Sequence, residues 1–153
     1  MNFEAQLNFH DELFALISVA DKNENEAISF MNSIQDIDKL KEIVNTPNKC
    51  KTGNETMLMW AIWRLKKDVV NELLLHGADP LFVNHDEESA STYWNGTLLD
   101  DLENQKIACD IACILHKHGV DLSKNSYMSY SIVKRANKYD FVELKKILSN
   151  LGY

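Results

Sequence analysis

Arginine is almost absent from this chain of 153 residues: only Arg64 and Arg135 occur, so bidentate phosphate reading has little to work with. Proline (2) and glycine (5) are too few for a collagen-like or low-complexity chain, and apolar residues run throughout, which excludes disorder. Three cysteines, Cys50, Cys109 and Cys113, are too few for a disulfide framework and suit a reducing compartment. No apolar run approaches the roughly 18 residues of a membrane span. The opening Met1-Asn2-Phe3-Glu4-Ala5 has no cationic region ahead of an apolar stretch, so a secretory leader is not expected and a cytoplasmic protein is. Positive charge is in deficit as well. Sixteen Lys and Arg face 23 Asp and Glu, giving −7. That excludes a nucleic-acid or anionic-membrane surface as the expected partner and favours a basic one.

What is present is helical periodicity. Apolar residues recur at three and four positions, with almost no alternation, so the chain reads as all-α. A first helix is expected over Glu4 to Ala20, a short second over Ala27 to Ser33, and a third over Ile37 to Val44 with Asp36 as its cap. Pro47 stops the third. Two further helices follow, Met57 to Arg64 capped by Thr56 and one from Val69 capped by Asp68, the latter closed by Gly77. One such pair cannot bury its apolar face alone, and repetition is visible. Ile111-Ala112-Cys113-Ile114-Leu115 with His118-Gly119-Val120-Asp121 echoes the Val69 to Pro80 stretch, its glycine 42 positions on. Asp38 to Asn48 and Asp140 to Leu148 read as the same second helix. Shorter helices are expected before each at Ala27 to Ser33, Met57 to Arg64, Leu98 to Glu103 and Met128 to Asn137.

Thr56, Leu58, Ala61, Val69, Val70, Leu73, Leu74, Gly77, Ala78 and Asp79 fall at the spacing of the ankyrin repeat, which this segment resembles. The resemblance implies a single domain over 1–153, a helix-pair solenoid with an N-terminal capping helix (1–23) and four repeat units (24–53, 54–83, 84–123, 124–153). Met57 and Met59 stand where the family has Pro and His, and His116 stands where an apolar residue is usual. Asn84 to Gly96 lengthens the third unit by roughly eight residues over the ~33-residue period.

Cys109, Cys113 and His116 share one helix face and have ligand chemistry, yet Ile111, Ala112 and Leu115 make that helix a core element, and no metal or other cofactor is expected. No phosphate loop, nucleophile elbow or His-Glu-x-x-His occurs, so the chain is not expected to be an enzyme. In the ankyrin pattern the hairpin tip and the end of the first helix vary freely and face partners. Here those positions are Thr52, Gly53, Glu55, Trp63 and Arg64, then Tyr93, Trp94, Gly96, Asn104 and Gln105. Trp, Tyr and Arg dominate binding hot spots, which nominates Trp63, Arg64, Tyr93 and Trp94 as anchors on one face. Glu55, Asp86, Glu87, Glu88, Asp100 and Asp101 would form an acidic surround that steers a basic partner. The expected function is therefore protein binding. Two roles fit: a bacterial immunity protein masking a basic toxin, or an effector or scaffold binding a host or cellular protein.

Overall fold

The computed structural model describes residues 3–19, 24–48 and 53–153, and the side chains from residue 9 onward. The expected helix end at Ala20, the break at Asp21 to Asn23, Cys50 and Thr52 lie outside the described residues. Among those described there are eight α-helices, one 3-10 turn and no strand, so the all-α reading holds. No described helix is long and apolar enough to cross a membrane. The chain divides into two units, Met1–Asp79 and Pro80–Tyr153.

The first unit holds α1 (Phe3–Ser18), α2 (Asn25–Ser33), α3 (Ile37–Asn45), α4 (Met57–Trp63) and α5 (Lys67–Leu75). In α3, Leu40, Ile43 and Val44 are buried on one stripe while Asp36 caps the helix by accepting from Lys39 N–H, as its sequence predicts. Thr56 likewise caps α4 through Met59 N–H. Asp68 does not cap α5. That helix begins at Lys67, and Val69 N–H donates instead to the carboxylate of Glu24, 2.8 Å away and 45 residues earlier. Burial is the largest influence on Glu24 and pushes its carboxyl above the usual range, with the two backbone N–H groups of Asp68 and Val69 opposing it. Helix α1 packs on α2, α3 and α4, and contributes Leu13, Phe14 and Ile17 to a core shared with Met31, Met57, Ile62, Val69 and Leu73.

The second unit holds the 3-10 turn Leu98–Asp100, α6 (Leu102–Lys117), α7 (Ile132–Lys138) and α8 (Val142–Asn150). The short helix expected over Leu98 to Glu103 is not formed. Asp101 takes an extended conformation and accepts from Asn104 N–H, so a new helix starts there and runs 16 residues. The helix expected over Met128 to Asn137 starts late, at Ile132, because Ser131 caps it through Lys134 N–H.

Three glycines close α5, α6 and α8 in the same way. Gly77, Gly119 and Gly152 have φ of +84°, +83° and +95°. The residue after each donates back to the helix: Ala78 N–H to Leu73 C=O at 2.9 Å, Val120 to Leu115 at 3.1 Å, Tyr153 to Leu148 at 3.0 Å. This satisfies carbonyls that a helix end would leave orphaned, in a conformation that costs an L side chain about 1 kcal/mol or more. The α4–α5 and α7–α8 hairpins agree further, residue for residue at a separation of 75. Thr56 and Ser131 cap, Leu65 and Asp140 take φ of 55° and 57°, and Lys66 and Phe141 donate to Ala61 and Ala136.

Candidate protein-binding surface

The side chains expected as anchors are largely spent on the fold. Arg64 is half-buried, with Nε donating to Ser18 C=O at 2.7 Å and the guanidinium 5.7 Å from the Trp60 ring centroid. Next to it the buried Lys66 donates from Nζ to Leu16 C=O at 3.0 Å. Together they hold the C-terminal carbonyls of α1, where the helix dipole favours cations. Trp63 is half-buried, as is Glu55, and Trp60 packs edge-on against Phe14.

Tyr93 and Trp94 were expected to stand exposed, and they do not. Trp94 is 0% exposed and Tyr93 is buried. Asn104 and Gln105 are structural too: their amides donate to Leu98 and Leu99 C=O at 2.9 and 3.0 Å, tying the 3-10 turn to α6, and Gln105 is buried. The physical reason is the broken register of this segment. Without a first helix at Leu98, positions counted from the ankyrin pattern no longer face outward. Asp86 and Glu87 are exposed, on a turn organised by Asn84, whose Oδ1 accepts from Asp86 and Glu88 N–H. Glu88 is half-buried and its carboxylate accepts from Ser129 Oγ.

That last contact shows what the 84–94 segment does. Ser91 Oγ donates to Lys124 C=O at 2.7 Å, and Ser91 C=O accepts from Ile132 N–H at 2.9 Å. With the Glu88–Ser129 bond, these contacts brace both ends of the next tip. Residues Ser126 to Ser129 close on themselves, with Ser126 N–H donating to Ser129 C=O at 3.0 Å and Ser129 N–H to Ser126 Oγ at 2.8 Å. The insertion read as a binding loop is a buttress for the loop that follows.

At that tip Tyr127 is 88% exposed and Met128 72%. Tyr130 and Tyr139 are 37% and 52% exposed. Lys134 Nζ lies 4.2 Å from the Tyr130 ring centroid, and Lys138 Nζ lies 4.7 Å from Tyr130 and 5.2 Å from Tyr139. Arg135 Nε donates to Tyr130 C=O at 3.1 Å. Ammonium groups held over aromatic faces at these distances order both partners, at roughly 0.5–1 kcal/mol per exposed pair. Tyr127, Met128, Tyr130, Lys138 and Tyr139 lie 75 residues after positions 52, 53, 55, 63 and 64, which the sequence resemblance would leave variable.

The remaining sequence candidates have internal partners or burial. His116 Nδ1 is 3.1 Å from Tyr153 Oη, its ring edge-on to Tyr153, and Tyr153 Oη also donates to Val120 C=O and accepts from Leu122 N–H. Cys109 is buried, which together with the neighbouring Cys113 pushes its thiol up to about 11. Among the described residues no group of three metal-ligating side chains converges. No protein-family model matches the chain, and no curated protein matches it significantly.

Proposed function

We propose that this chain is a protein-binding module built from ankyrin-type helical hairpins, and that it engages its partner through the 126–139 surface. One observation carries the reading: five positions that the ankyrin pattern leaves variable and partner-facing hold Tyr127, Met128, Tyr130, Lys138 and Tyr139, and Tyr127 and Met128 project from a braced tip. Large side chains on a pre-ordered loop lose little entropy on binding, which is what a hot spot needs. The three identical glycine closures and the matching α4–α5 and α7–α8 hairpins support the repeat architecture. A second reading, an inhibitor masking a basic toxin, draws on Asp86 and Glu87, exposed on the turn that the Glu88–Ser129 bond joins to the same tip.

A photo-crosslinking side chain at Tyr127, and separately at Asp86, tests both. In lysate of the source organism the Tyr127 probe should capture one protein. Competition by unlabelled wild type should abolish the capture, and competition by folded Tyr130→Ala/Tyr139→Ala should not. Capture at Asp86 alone, of a basic protein, would favour the inhibitor reading. No competable capture at either position would refute the proposal.

A further inference from the structure

The charge of the 124–153 segment is opposite to that of the rest of the chain, although Glu88, bonded to Ser129, brings Asp86 and Glu87 beside its tip. Residues 124–153 carry six of the 16 basic side chains against two carboxylates, a net +4, while residues 1–123 carry −11. Between Lys124 and Tyr139 there is no Asp or Glu at all. Some cations elsewhere pair with acids, Lys106 with Glu103 at 2.7 Å, Lys67 with Asp68 and Lys145 with Asp140, while Arg64 and Lys66 hold backbone carbonyls. Lys134, Arg135 and Lys138 are grouped within five residues. Among the described residues none of the three meets a carboxylate, and their recorded contacts are with Tyr130 and Tyr139.

In a chain with 23 carboxylates, three adjacent cations without one, interleaved with exposed Tyr and Met, form a surface unlike its surroundings. We infer that this surface, resting on the protein-binding reading above, takes a short acidic segment of its partner protein that carries apolar or aromatic side chains between its carboxylates. The carboxylates would meet Lys134, Arg135 and Lys138, and the apolar groups would cover Tyr127, Met128, Tyr130 and Tyr139. Desolvating the ammonium groups strengthens their attraction to both the rings and the incoming carboxylates.

Extended polyanions fit less well. A DNA duplex or an anionic membrane would extend past the patch onto acidic residues of the same unit, exposed Asp86 and Glu87 among them. Both also rely on counterion release from many cations, where this surface offers three or four. A short peptide segment, at roughly 3.3 Å per extended residue, spans only a few Debye lengths of ~8 Å and feels mainly the local charge.

Short random peptides displayed on phage, selected against the full-length protein, provide the probe. Recovered peptides should be enriched in Asp and Glu with interspersed Leu, Phe, Tyr or Met, and their anisotropy-measured affinity should fall as salt rises. Lys134→Glu/Lys138→Glu should weaken binding about 30-fold or more, and Lys134→Gln/Lys138→Gln by less, with helical circular dichroism unchanged in both. A short DNA duplex and phosphatidylserine vesicles are titrated alongside. Recovery of no peptides, recovery without acidic enrichment, indifference to charge reversal, or tighter Lys-dependent binding of DNA or vesicles would each overturn the inference. If the Tyr127 probe still captures a partner that is insensitive to charge reversal, the protein-binding reading stands and only its acidic specificity fails.

Discussion

Lys66 and Arg64 give the sharpest test of whether the α4–α5 turn serves the fold or a partner. Replacing Lys66 with Met keeps the apolar stem in its buried slot and removes the ammonium, so Leu16 C=O loses its donor. Two effects compete. Relieving a desolvated charge often stabilises when both members of a buried pair become apolar. Here only the donor is replaced, and the acceptor is a helix-end carbonyl that stays where it is. A hydrogen bond involving a charged group contributes about 1.5–3 kcal/mol, and the favourable placement at a helix C-terminus adds about 0.3–1. We expect Lys66→Met to lose about 2 kcal/mol, or roughly 4–8 °C in Tm for a chain of this size. Arg64→Ala should cost less, about 1 kcal/mol, since its guanidinium is partly solvated. Because both cations hold the same last turn of α1, the double variant should fall short of the sum. Urea denaturation followed by circular dichroism, for both singles and the double at neutral pH, reads all three numbers. A Lys66→Met protein as stable as wild type, or more so, would show that the desolvation cost prevails and refute the helix-end role. An Arg64→Ala protein of unchanged stability that loses its partner would return Arg64 to the binding surface.

Two further outcomes follow from buried groups. Trp94 fills core space while its Nε1–H has no hydrogen-bond partner among the described residues; Trp94→Ala should therefore cost about 3–5 kcal/mol, while Trp94→Phe, which drops an unsatisfied donor, should cost under about half of that in the same urea titration. For Glu24 the folded pKa is raised, so the native state holds the proton more tightly than the unfolded chain, and the group's contribution to stability declines as pH rises through its folded pKa. Glu24→Gln retains an acceptor for Val69 N–H without the buried charge, and should match or exceed wild-type stability at pH 7 while flattening the stability profile above the ordinary glutamate range; a loss at pH 7 would mean that the charge itself holds α5.

Helix identity came from local information. The apolar stripe of α3, the Asp36 and Thr56 caps, and the glycines at 77, 119 and 152 act within one or two turns, so spacing alone reveals them. The all-α class follows from the same signals. Distant partners decided the rest. Asp68 looked like a cap until Glu24 supplied the acceptor from 45 residues away, and Arg64 looked free because nothing local says that Ser18 C=O lies above it. Tyr93 and Trp94 sit in a polar stretch, and polarity of sequence neighbours says little about burial when Asp101 restarts the helix and shifts the register. The repeat pattern counts Tyr93 and Trp94 as outward-facing although they are buried, and 75 residues on from the corresponding α4–α5 positions it counts Tyr127, Met128, Tyr130, Lys138 and Tyr139, where α7 and α8 repeat the geometry of α4 and α5. Residue spacing determines which side chains share a helix face. Which face meets solvent is settled by what else packs against it, and that is a property of the folded chain.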